Sequence, residues 1–213
     1  MSMAGKKVPF AEGKDEFVEK KSRFIGHIFQ VTSTQQAMDQ IKRMQKEFWD
    51  ASCVAYAYIV EEGQVMRFSD AGEPQGTAGM PILEVLKKEG IFDVLCVVVR
   101  YFGGIKLGAG GLTRAYSRGA RDALCAAGYA VMDRWATVDI PCGYGLLERV
   151  RLEIGAQGGT VDDTLYGADI RLTASLPAER VGAMQARLTE LSAGSIALTV
   201  RAEALRPGPR QEL

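Results

Sequence analysis

Residues 97–116 read VVVRYFGGIKLGAGGLTRAY, and the parsing of this stretch decides the fold. Its opening residues end the run FDVLCVVVRYF, apolar at nearly every position, which predicts a central strand buried on both faces. Its closing residues begin LTRAYSRGARDALCAAG, whose apolar positions recur at helical spacing up to Gly128, a helix stop. Between them Gly103, Gly104, Gly108, Gly110 and Gly111 fall within nine positions. A buried strand, a glycine loop and a helix start can bring backbone N–H groups together around an anion. The Walker spacing is missing, because Lys106 stands between Ile105 and Leu107, and GAGGLT places its third glycine too early for a dinucleotide fingerprint. Positive φ angles and close packing in a tight connection remain the simpler account of the spacing alone.

Working outward, the charges around the loop are one-sided. Arg100 ends the strand, Lys106 sits in the loop, and Arg114, Arg118 and Arg121 share one helical face. Asp122 is the sole acid between residues 94 and 132. Such a stripe beside exposed amides suits the phosphates of RNA or of an anionic ligand, while arginines paired with acids elsewhere in the fold would explain it too. Tyr101, Phe102 and Tyr116 offer stacking surfaces or core packing.

Two further stretches flank this one. RFSDAGEPQGTAGMPIL, residues 67–83, carries Asp70 and Glu73 on a turn-rich loop, where acid/base work or turn chemistry would place carboxylates. Thr77 is positioned to cap the helix that follows, MPILEVLKKEG, with Pro81 in its first turn and Gly90 at its end. EKKSRF, residues 19–24, places Lys20, Lys21 and Arg23 at a strand edge, with Lys21 and Arg23 on one face.

The rest of the chain frames these motifs. Its 213 residues are 47% apolar, enough for one large or two small cores. Equal numbers of basic and acidic residues, 26 each, give no global field toward nucleic acid or membrane, so such binding needs a local patch. No apolar run approaches the roughly 20 residues of a membrane span, and a soluble cytoplasmic protein without membrane partners is expected. Cys53, Cys96, Cys125 and Cys142 are widely spaced and predict reduced core residues, and His27, the single histidine, lies in an alternating strand. A histidine-based triad or multi-histidine metal site is therefore not expected, and no metal or cofactor is predicted.

The first half alternates strands and helices irregularly. DEFVEKKSRFIGHIFQV predicts one or two strands, STQQAMDQIKRMQKEFW a helix with a Ser or Thr cap, and SCVAYAYIVEEGQVMRFSD a hairpin turning at Glu62-Gly63. From about residue 136 the order becomes β-α-β-β-α-β, the ferredoxin-like pattern, with Pro177 opening its second helix, Gly194 closing it and Gly167 in the central turn. The tail RPGPRQEL is expected to fray. The predicted division is residues 1–134, residues 135–205 and a frayed 206–213, in an α+β fold.

KKSRFIG, DAGEPQGTAGMPILEVL and VVVRYFGGIKLGAGGLTRAY, in that order and at these separations, resemble the signature of the YigZ/IMPACT family. The resemblance spans nearly the whole chain, since bacterial members carry a small C-terminal domain where the β-α-β-β-α-β pattern falls. It implies an N-terminal α/β sandwich of the ribosomal protein S5 domain 2-like type with a left-handed crossover, against the usual hand. The same two-domain arrangement resembles domains IV and V of elongation factor G, a likeness that implies a link to RNA, the ribosome or a translation-associated protein. Eukaryotic relatives regulate translation through an additional partner-binding domain, which these residues do not match. The motif residues carried over are Lys21, Ser22 and Arg23, then Asp70, Gly72, Glu73, Pro74, Gly76, Thr77, Gly79 and Pro81. In the third stretch they are Arg100, Tyr101, Gly103, Gly104, Lys106, Leu107, Gly108, Gly110, Gly111, Leu112, Arg114 and Tyr116. One departure is DASCVAYAY, where Cys53 stands in the place of a histidine common in the family and Ala55 in the place of a cysteine.

The expected function is a non-enzymatic, translation-linked RNA- or ribosome-binding protein. Nucleic-acid or anion contacts fall to Lys21, Arg23, Arg100, Lys106, Arg114 and Arg118, with Gly103, Gly104, Gly108, Gly110 and Gly111 letting a backbone approach. The alternative is an enzyme or small-ligand protein with a phosphate or nucleotide pocket between the DAGEPQGTAG loop and the GGIKLGAGG loop.

Overall fold

The computed structural model describes residues 5–60 and 64–213. These residues fall into two compact units that divide between Met132 and Asp133, with Pro207–Leu213 rejoining the first.

In the first unit, β2 (Gly13–Glu19), β3 (Ser22–Gln30), β4 (Cys53–Val60), β5 (Val65–Ser69) and β6 (Val94–Tyr101) form one sheet in the order β2-β3-β6-β4-β5, every neighbouring pair antiparallel. β1 (Lys7–Pro9) pairs instead with the start of β7 (Tyr129–Cys142). The run FDVLCVVVRYF supplies β6, and its central place follows from having apolar residues on both faces. Leu95, Val97 and Val99 of β6 pack toward α1 (Thr34–Glu47), whose Ala37, Ile41 and Met44 are buried. Val94, Cys96 and Val98 pack on the other side against α2 (Gly79–Glu89) and α3 (Ala109–Ala127). The result is a helix layer, a sheet and a second helix layer. Ser33 caps α1 as predicted, its Oγ accepting from the Gln36 amide at 3.3 Å. α3 lies close on the sheet through small residues: a Cβ on Gly26 of β3 would overlap the Gly119 carbonyl of α3.

Several local expectations change. Lys20 and Lys21 do not sit on a strand edge; they form the two-residue turn of the β2-β3 hairpin, at φ of 45° and 65°. β3 is an internal strand, flanked by β2 and β6. The last helix of the first unit starts at Ala109, three residues before Leu112, so Gly110 and Gly111 belong to its first turn. Cys53, Cys96 and Cys142 are buried, whereas Cys125 is exposed. The expected turn at Glu62-Gly63 lies outside the described residues. Residues 206–213 do not fray: Gly208 donates to the Val131 carbonyl, and Tyr129 and Gln211 exchange two backbone hydrogen bonds.

The second unit contains β7 from Asp133 onward, α4 (Leu147–Ala156), β8 (Thr160–Leu165), β9 (Ile170–Pro177), α5 (Val181–Ser192) and β10 (Thr199–Pro207). This is the predicted β-α-β-β-α-β order, and its strands lie in the order β10-β7-β9-β8. Val150, Ile154, Met184 and Leu188 of the helices meet Val138, Ile140, Leu172 and Ala174 of the sheet. Pro177 ends β9 rather than opening a helix; a 3-10 turn, Ala178–Arg180, intervenes before α5. None of the described helices is long and apolar enough to cross a membrane.

Candidate functional site

The three quoted motifs meet at the end of β6. Arg100 shares the face of Val94, Cys96 and Val98, and so points toward α2 and α3. Its side chain is only 8% exposed, and Nη1 donates to Glu73 Oε1 at 2.6 Å. The same Glu73 oxygen accepts from the Tyr116 hydroxyl of α3 at 2.9 Å. Arg100 Nη2 reaches Ser22 Oγ at 3.4 Å, while its Nε is buried without a partner. One ion pair thus ties β6, the DAGEPQGTAG loop, β3 and α3 together. Burial first, then Cys53 and Glu73 beside it, push the Tyr116 phenol well above its usual range, so the hydroxyl stays a donor.

Asp70 turns inward. Its carboxylate accepts from the backbone amides of Gly76, Ala78 and Gly79 at 2.8, 3.0 and 2.8 Å. Burial pushes this carboxyl up, but the three amide bonds outweigh it and hold it below the ordinary range. Asp70 is therefore the cap of α2, the role expected of Thr77. The Thr77 hydroxyl donates instead to the Pro74 carbonyl at 2.6 Å. Gly72 and Gly76 take positive φ, 92° and 77°, to bend the loop around the carboxylate.

The glycine loop divides by cause. A Cβ on Gly103 would overlap the Lys21 backbone, and the Gly103 amide donates to Ser22 Oγ at 3.2 Å, so the loop is seated directly on the β2-β3 turn. Gly104 and Gly108 have φ of 84° and 75°. Gly108 is the N-cap of α3 and has no side chain to bond the first amides of the helix.

Two depressions flank Leu107 at this helix start. The larger, about 540 Å³, is lined by Glu73, Arg100, Phe102, Lys106, Gly108 and Ala109 among others. The smaller, about 230 Å³, is lined by Phe17, Lys20, Gly111, Arg114 and Arg118, with Glu19 as its acid. Glu73 and Lys106 thus share one hollow, Arg114 lines its neighbour, and Asp70 lines neither. Lys20, Lys21, Lys106 and Arg114 are exposed. Arg118 is engaged by Asp122 at 3.0 Å and lies 4.1 Å over the Phe17 ring; Arg23 is engaged by Glu16 at 2.6 Å. Arg100 faces into the protein, so its charge is answered before any ligand arrives.

Sequence reasoning missed Lys20 as a member of this surface, and Ser22 and Ser52 as supports; the Phe102 amide donates to Ser52 Oγ at 2.9 Å. The EKKSRF stretch held the signal for Lys20 and Ser22. It was hidden because a lysine pair is not a usual positive-φ turn. His27 lies on the α1 side of the sheet, stacked 6.0 Å from Phe29, away from this site.

Comparison with known proteins agrees with this division. Residues 20–124 match the model of the Impact N-terminal domain, and residues 140–195 match a domain of unknown function (DUF1949). IMPACT family member YvyE of Bacillus subtilis is 35% identical over 183 residues, spanning 85% of this chain and 84% of the relative. IMPACT family member YigZ of Escherichia coli is 36% identical over 182 residues, spanning 84% of this chain and 89% of the relative. A crystal structure described as that of a hypothetical protein superposes with a TM-score of 0.58 at 32% identity, covering 92% of this chain and 97% of the other. With its motifs in order and both domain matches in place, the chain belongs to the YigZ/IMPACT family.

Proposed function

We propose that the first unit binds RNA, as a free transcript or within the ribosome, through the basic surface around the start of α3, in a translation-linked and non-enzymatic role. The observation that carries this reading is the convergence of Lys20, Lys21, Lys106 and Arg114. They come from two motifs some 80 residues apart in sequence, are all exposed, and are drawn together because Gly103 packs on the Lys21 backbone. Charges of one sign gathered over exposed amides attract phosphates and add little to folding. The turn supports the same reading. Lysines at positive φ cost stability that Asn-Gly would not, and strained positions of this kind cluster at working surfaces.

The carboxylates that suggested an enzyme are occupied elsewhere, Asp70 by three amides and Glu73 by Arg100 and Tyr116. At the level of fold type, the unit of β2 to β6 is read as an S5 domain 2-like sandwich. The second unit is read as ferredoxin-like, from its β10-β7-β9-β8 strand order.

The test is co-sedimentation of the purified full chain with ribosomes and with total RNA at low salt. The wild type is expected in the pellet, and the triple variant Lys20→Gln, Lys106→Gln, Arg114→Gln in the supernatant. A wild type that stays soluble with both, or a triple variant that pellets equally, would sink the proposal.

A further inference from the structure

We infer that the second unit carries a self-association edge, at which β10 pairs antiparallel with β10 of a second copy of this chain. The inference is independent of the RNA reading above.

β10 is an edge strand: among the described residues it pairs with β7 alone. All nine of its residues are exposed, and none joins the core formed by the helices and the inner strands. Val200 is 44% exposed and Leu205 38%. A free edge presents a row of unpaired N–H and C=O groups, which proteins blunt with bulges, lysines, prolines and other charges. β8, the opposite edge, is blunted in this way. Its ladder slips between Val161 and Asp163, and two acids of like charge, Asp162 and Asp163, stand side by side there. β10 has no lysine and no proline before its last residue, Pro207, and its charges alternate in sign along Arg201, Glu203 and Arg206.

That alternation is self-complementary in one register. Residues opposite each other in antiparallel strands point to the same face. Two copies related by a two-fold axis normal to a joined sheet must therefore pair about a residue and not between two. Centred on Arg201 or on Glu203, the pairing sets that charge against its own copy. Centred on Ala202, it sets Arg201 opposite the partner's Glu203, and Glu203 opposite the partner's Arg201. Val200 then meets the partner's Ala204, and at the axis the small Ala202 meets its own copy without crowding. Such a contact is isologous and closes as a dimer.

The two charges are prepared for this. Arg201 Nε donates to Asp139 Oδ2 at 2.6 Å, and Asp139 Oδ1 accepts from the Thr173 hydroxyl at 3.1 Å. These bonds hold a guanidinium that is half exposed, with Nη1 unengaged among the described residues. A guanidinium carries five donors in a fixed fork, so the Asp139 pair leaves capacity for a second carboxylate. Glu203 is exposed, and its carboxylate has no partner among the described residues.

The test is sedimentation velocity of the full chain at low salt. The paired stretch, Thr199 to Leu205, spans about 24 Å and makes a small interface, so a dimer with a Kd of about 10–100 µM is expected. Glu203→Arg sets like charges opposite each other twice and should weaken the dimer about tenfold or more. Added salt should weaken the wild-type dimer for the same electrostatic reason. Cross-linking reads the register. In a Cys125→Ser background, which removes the exposed native thiol, Ala202→Cys should give a disulfide-linked dimer on mild oxidation, since opposite Cα atoms lie about 4.5–5.5 Å apart. Ala204→Cys, which faces the partner's Val200 in this register, should not. All four substituted positions are exposed, and thermal melting by circular dichroism checks that each variant keeps the fold. A chain that stays monomeric up to about 1 mM overturns the inference. So does a dimer that Glu203→Arg leaves unchanged, or one that cross-links through Ala204→Cys as readily as through Ala202→Cys.

Discussion

Arg100 carries a full charge to a position 8% exposed, and the pairing with Glu73 is what makes that tolerable. Removing one partner leaves the other charge buried alone, so Glu73→Gln should destabilise the first unit by about 3–5 kcal/mol, read by denaturant unfolding. A change below about 1 kcal/mol would mean that the pair does not tie the motifs together. The partnership was not legible in the sequence, because 27 residues separate the two and neither spacing nor pattern links them. His27 makes a second prediction at this scale. Burial, with Lys14 and Arg43 nearby, pushes its imidazole down to about 4. The unfolded chain therefore takes up a proton below pH 6.5 that the folded chain refuses. Stability should be intact above pH 6.5 and fall between 6.5 and 4, by about 1 kcal/mol per unit once partial solvent screening is allowed for. His27→Leu should flatten that slope, and an unchanged slope in pH-dependent chemical denaturation would contradict the assignment.

Elements were the most legible level. β6 could be read as central because its apolar run leaves no polar face, and α1 because its apolar positions and Ser33 cap agree. The β2-β3 turn and the start of α3 were not, for related physical reasons. Local rules expect Asn or Gly at positive φ and do not expect glycines inside a helix, whereas the two lysines of the turn and the glycines in the first turn of α3 depart from both. Replacing Lys20-Lys21 by Asn-Gly should therefore stabilise the protein by about 1 kcal/mol while weakening RNA retention. A loss of stability would show that the lysines suit the turn. Gly103→Ala should do the opposite, costing about 3 kcal/mol by driving a methyl into the Lys21 backbone, and thermal unfolding would report it.

For the molecule as a whole, the order of elements in the second unit followed from period and turn residues. The tail was misread because Pro and charge suggest fraying, whereas its backbone amides find acceptors on Tyr129 and Val131. The gathering of lysines and arginine at one helix start depended on topology and lay beyond any local pattern. It makes the central claim quantitative: basic groups that meet phosphates release counterions, so affinity must fall with salt in proportion to their number. The most direct measurement is the slope of log affinity against log salt for a single-stranded RNA, in the wild type and in Lys106→Gln with Arg114→Gln. A wild-type slope of about −2 or steeper, made shallower by about 0.7 for each charge removed, is the predicted result. Equal slopes in the two proteins would contradict the account.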